Sequence, residues 1–268
     1  MPGVVTGLKL KLTIAYDGAA YQGWQVQKTG VGVQQKIEEA LERLFPTAQR
    51  PRSSSRTDTG VHALGMVAEV EIPRAEFTMP LRRVALALNS FLPDDIRIVS
   101  VRRVPTTFDA RFDASGKQYR YFVWNHGTMN PLLRHTAWHV PLKLDLTEMR
   151  RGAAHLTGRH DFRSFAANHT YEIADTVRTL SRCDILRSGP LLTFIIEGDG
   201  FLYKMCRGIV GTLVQLGGGK FTEAGLRLML AARDRRAAGM SAPAHGLVLW
   251  KVYYRKRGKR KGPGNAAT

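Results

Sequence analysis

Two cysteines, Cys183 and Cys206, are all that 268 residues contain. That excludes a disulfide framework and a cysteine-built metal cage. Long apolar runs are missing too: no stretch approaches the length that crosses a bilayer, and the opening MPGVVTGLKLKLTIAYDG is broken by Lys9 and Lys11 before a signal-peptide core forms. The sequence reads as cytoplasmic, without membrane attachment. It has no glycine-rich phosphate loop of the Walker type. Its eight histidines, among them His155 and His160, fall into no zinc spacing and read as surface or RNA-contacting side chains. Acidic residues are scarce. Twenty-two Asp and Glu stand against 40 Lys and Arg, leaving a net charge of +18. Such an excess points to an anionic partner, nucleic acid first; the plainer reading is a charge that serves solubility.

What is present is periodicity. LKLKLTIAY puts Leu8, Leu10, Leu12, Ile14 and Tyr16 on one face of a strand. VQQKIEEALERLF gathers Val33, Ile37, Leu41, Leu44 and Phe45 on one helical face. A short strand before Arg56, the alternating MVAEVEI, the helical PLRRVALALNSFL and the strand DIRIVSVRRV complete the order β-α-β-β-α-β, the split βαβ unit of ferredoxin-like folds. From Pro105 the order returns loosely. KQYRYFVW and HTAWHV read as strands, LTEMRRGAAHL as a helix, and VRTLSRCDIL and LLTFIIEG as a hairpin. YKMCRGIVGTLVQLG and EAGLRLMLAAR read as helices before a last strand, GLVLWKVYY. The expected fold is α+β: two ferredoxin-like lobes sharing a mixed, mainly antiparallel sheet with a central cleft. The expected division is an N-terminal lobe over 1–104, a C-terminal lobe over 105–254 and a basic disordered tail over 255–268.

One loop stands out. SSRTDTGVHALG, residues 53–64, packs Arg56, Asp58, Gly60 and His62 into seven positions. It follows an early strand and faces the expected cleft, where loops carry function. By composition alone Asp58 also suits an Asx turn with Arg56 as its partner.

RTDTGVH resembles the catalytic motif of the TruA family of tRNA pseudouridine synthases. YDGAAYQGWQVQ (16–27), DARFDASGKQYRYFVWN (109–125), HDFRSF (160–165) and FLYKMCRGIVG (201–211) are similar to further motifs of that family, in its order, from about residue 10 to 254. The chain departs from the family's usual residues at Ser55 (commonly Gly), Asp109 (His), Lys204 (His) and Gly208 (Asn), none of which removes a group the chemistry needs.

The resemblance implies the pseudouridine synthase fold and the isomerisation of uridine to pseudouridine at tRNA positions 38 to 40, by a homodimer. Breaking N1–C1′, turning the uracil and joining C5 to C1′ needs neither electrons nor a transferred group, so no cofactor is expected. One carboxylate serves as nucleophile or base, and the resemblance assigns that role to Asp58. It makes Arg56 the residue that holds the flipped conformation, since a target base must leave its stack. It matches Tyr119 to the tyrosine that stacks on the substrate, and Arg207 to an arginine paired with the aspartate across the cleft. Each has a plainer reading: Tyr119 as a core tyrosine of its strand, Arg207 as the one exposed arginine of a core helix. Trp24 reads as core rather than a stacking platform. Two other functions stay open: a synthase of the same fold acting on another RNA site, and a non-catalytic tRNA-binding chaperone.

Overall fold

Alternation becomes a strand at the start of the computed structural model, which describes residues 7–167 and 175–255. Strand β1 (Gly7–Tyr16) buries every second side chain, from Leu8 to Tyr16. Helix α1 (Val33–Leu44) buries Val33, Ile37, Ala40 and Leu41 along one stripe. Next come β2 (Arg52–Ser53), β3 (His62–Pro73), α2 (Leu81–Asn89) and β4 (Ile96–Val104). β1 pairs antiparallel with both β3 and β4, and β2 lies antiparallel on β3. The order is therefore β4-β1-β3-β2, the split βαβ arrangement that the sequence led us to expect.

The second half repeats it. β5 (Ala114–Trp124), α3 (Leu146–Leu156), β8 (Val177–Ser188), β9 (Leu191–Gly198), α4 (Met205–Gly217), α5 (Glu223–Ala232) and β10 (Leu247–Tyr254) form its body. Two short strands, β6 (Trp138–His139) and β7 (Gly158–Asp161), lie beside β5 and β8. The order β10-β5-β9-β8 matches β4-β1-β3-β2 strand for strand. Asp145 caps α3 by accepting from the Thr147 and Glu148 N–H groups. The β8–β9 hairpin turns at Gly189, where φ is +58°.

The halves join through β3 and β10, which pair in parallel over only two positions, Val248 with His62 and Leu249 with Ala63. Farther along the same edge of β3, Glu69 and Ala68 pair with Arg52 and Ser53 of β2. The loop from Ser54 to Val61 thus emerges where β2 stops and β10 arrives. One apolar core runs through both halves, from Leu10 and Ile37 to Phe194 and Leu213.

Two expectations change. HTAWHV supplies only the two-residue β6. The helix expected from Tyr203 starts at Met205, because Lys204 has a left-handed backbone (φ +58°) that an α-helix does not admit. Among the described residues no helix is long and apolar enough to cross a membrane. The tail expected over 255–268 lies, beyond Arg255, outside the described residues.

Candidate active site

The loop carrying Arg56 and Asp58 is clasped by the tract that follows β1. Tyr16 Oη and Thr57 Oγ1 hydrogen-bond at 2.8 Å. The Trp24 N–H donates to the Thr57 carbonyl at 3.1 Å, and the Gly60 N–H to the Tyr21 carbonyl at 3.3 Å. Gly23 takes φ +80° with the Thr57 carbonyl so close that a Cβ would lie 2.4 Å from it; at Gly18 a Cβ would lie 2.1 Å from the Val61 carbonyl. Both glycines are there because backbone must touch backbone. Trp24 is 1% exposed and packs as core, with its ring centroid 6.1 Å from that of Tyr16.

His62 closes the other end. Its Nε2 faces the carbonyls of His135 and His245 at 3.1 and 3.0 Å, which puts the proton on that nitrogen. Nδ1 accepts the Gly18 N–H at 3.1 Å, with Asp17 Oδ1 2.9 Å from the same nitrogen. His62 is buried. Reading all the histidines as surface or RNA-contacting was therefore wrong for this one, which ties the first half to two segments of the second.

A cleft of about 980 Å³ opens over this loop. Arg56, Asp58 and Tyr119 line it, with Arg52, Arg111, Lys117 and Lys204 around them. Arg207 stands behind Asp58, in the first turn of α4. Its Nη1 donates to Asp58 Oδ2 at 3.1 Å, and the two side chains are 15% and 19% exposed. The guanidinium is held from the far side by its Nε bond to the Ala242 carbonyl at 2.7 Å. An arginine at a helix N-terminus opposes the helix dipole, so its partner carboxylate accounts for the position better than helix stability does. Nearby, burial pushes the Cys206 thiol well above its ordinary range, leaving it protonated and a poor nucleophile.

Tyr119 is buried in the cleft wall, edge-on to Phe201 with ring centroids 4.9 Å apart. Burial, then the neighbouring Cys206, drives its phenol far above the ordinary value, so it is a neutral hydroxyl. That hydroxyl neighbours Ser55 Oγ, a buried atom without a hydrogen bond of good geometry among the described residues. Arg56 is exposed at the mouth, with no ion pair or hydrogen bond among the described residues. So Asp58 and Arg207 meet directly, Tyr119 lies in the wall, and Arg56 stands exposed at the rim.

Sequence reasoning missed Lys117. Its Nζ donates to the Ser54 carbonyl at 2.7 Å, just where β2 turns into the loop. Burial, reinforced by the charge of Arg111, pulls its ammonium down to about 8. The signal was available: Lys117 and Tyr119 are two apart on one strand and share a face.

The sequence model of the family described as tRNA pseudouridine synthase matches residues 12–113 and 153–255. Proteins named tRNA pseudouridine synthase A are similar along almost their whole length. One from Exiguobacterium sibiricum is 42% identical over 246 residues, covering 92% of this chain and 96% of its own. One from Bacillus subtilis is 44% identical over 249 residues, covering 92% and 99%. One from Myxococcus xanthus is 41% identical over 257 residues, covering 96% of each.

Proposed function

The chain belongs to the tRNA pseudouridine synthase family, and we propose that its Asp58 carries the isomerisation of uridine to pseudouridine at positions 38, 39 and 40 of the tRNA anticodon stem-loop. The observation that carries this reading is the Asp58–Arg207 pair, made across the two halves at the head of a basic cleft. The guanidinium, itself fixed by the Ala242 carbonyl, holds the carboxylate in one orientation in the cleft wall, and a nucleophile needs that aim.

The reaction breaks N1–C1′ and forms C5–C1′; the proton on C5 is lost and one is gained at N1. Atoms and electrons balance within the nucleotide, so the enzyme works without a cofactor. Asp58 is the nucleophile. Arg56, exposed at the mouth and unpaired among the described residues, stabilises the extruded nucleotide by filling the vacated stack or holding the displaced phosphate. Tyr119 lies against the flipped uracil as a neutral ring, as aromatic side chains do for unstacked RNA bases. The lobe over 1–104 supplies the nucleophile and the lobe over 105–254 its guanidinium, so the cleft between them is the working unit. The enzyme acts in the cytoplasm as a homodimer, with one tRNA touching both subunits.

Mapping pseudouridine in unmodified tRNA transcripts incubated with the protein tests the assignment. New pseudouridine confined to positions 38 to 40 supports it. Modification only outside the anticodon stem-loop would move the enzyme to another RNA site, and binding without any modification would make it a chaperone.

A further inference from the structure

Phe112 is the most exposed aromatic side chain among the described residues, at 75%. It stands on the rim of the cleft that holds Asp58. A lone exposed phenylalanine in a loose loop needs no explanation, but the turn beneath this one is built. Asp109 Oδ1 accepts the Arg111 and Phe112 N–H groups, both at 2.8 Å. Asp113 Oδ2 accepts the Asp109 N–H at 3.1 Å, and Arg52 grips the other oxygen of Asp109. Ala110, between them, is pinned on both sides. Its N–H donates to Glu69 Oε2 at 2.8 Å, and its carbonyl accepts from Tyr254 Oη at 2.6 Å. Glu69 is itself buried, with Lys9 and Arg52 each 3.8 Å away.

The effect of these contacts is to hold an apolar ring out in water, with the Arg111 guanidinium 5.3 Å from its centroid. We propose that Phe112, together with Arg111, is a stacking platform for a base of the substrate RNA adjacent to the extruded uridine. The proposal rests on the RNA-modifying reading above and extends it to a second nucleotide. Extruding one base strips its neighbour of a stacking partner, and an aromatic face at the rim replaces that partner for any base. The guanidinium over the ring adds a cation for the adjoining phosphate. Because the turn is fixed before RNA arrives, the ring loses little freedom on binding. Asp109 is one of the positions where this chain departs from the family's usual residue, and here its carboxylate orders the turn.

The test uses the full-length protein and anticodon stem-loop RNA. For Phe112→Ala, Kd and KM rise by roughly 5- to 150-fold, the range for losing one base–aromatic stack. Phe112→Trp restores affinity, and its added indole emission is quenched when RNA binds. On a stem-loop made abasic at the neighbouring nucleotide, Phe112→Ala adds no further loss, as expected when both changes remove one contact. Affinity unchanged in Phe112→Ala overturns the platform. So does a changed oligomeric state, read by sedimentation, with RNA affinity intact. If the wild-type protein forms no pseudouridine while Phe112 still governs RNA binding, the platform stands and the catalytic reading falls.

Discussion

Lys117 keeps its ammonium where burial and the charge of Arg111 favour the neutral amine. The unfolded chain holds this proton up to the ordinary lysine value of 10.5, whereas the folded chain releases it near 8. Between those values the unfolded state binds more protons, so the unfolding free energy rises with pH across that window. Below pH 8 both states are protonated and this residue contributes no slope. Urea titrations from pH 7 to 10.5 are expected to show the rise in the wild type and its loss in Lys117→Gln. A phosphate in the cleft favours the ammonium, so RNA affinity is expected to fall as pH passes 8, and less steeply in that variant. Arg56 offers a different residue-scale test. Arg56→Ala is expected to slow turnover on a structured stem-loop more than on a short unpaired oligonucleotide, because flipping costs least where no stacking is lost. Equal losses on the two substrates would place Arg56 on Asp58 rather than on the flipped nucleotide.

Among the elements, the loop between β2 and β3 takes its shape from the tract after β1, and Gly23 is the point of closest approach. Gly23→Ala must accommodate both a φ of +80° and a Cβ 2.4 Å from the Thr57 carbonyl. The expected destabilisation is about 1–3 kcal/mol, read as a lower Tm, with a fall in kcat as Thr57 and Asp58 shift together. An unchanged Tm and kcat would mean that the clasp does not set the loop. The two motifs were each legible in the sequence, but their engagement was not. Tyr16 with Thr57 and Gly18 with His62 are pairs 41 and 44 residues apart, and periodicity reports only on near neighbours. The same limit hid the start of α4: YKMCRGIVG has helical composition throughout, and only the left-handed backbone at Lys204 sets the boundary. Lys117 was legible by strand alternation with Tyr119, yet nothing in the sequence shows that its ammonium meets the Ser54 carbonyl.

For the molecule as a whole, the repeated 4-1-3-2 strand order was readable because alternation and helical stripes survive in both halves. The seam was not. It rests on two parallel residue pairs between β3 and β10, too short to leave a pattern, and it is there that Asp58 meets Arg207. The charge of the whole chain makes a separate prediction. Truncation after Tyr254 removes RKRGKRK, six of whose seven residues are basic, taking the net charge from +18 to +12. If the segment holds two or three phosphates at a time, the slope of log K against log salt flattens by roughly 2, while turnover at saturating tRNA persists. An unchanged slope would leave the segment without a part in binding. The most direct test of the central claim is tritium release from tRNA labelled at uracil C5, comparing the wild type with Asp58→Asn. The wild type is expected to release tritium, and the variant to bind tRNA yet lose release by about 10⁴-fold or more, as when a nucleophile is removed. An Asp58→Asn enzyme turning over near the wild-type rate would contradict the account.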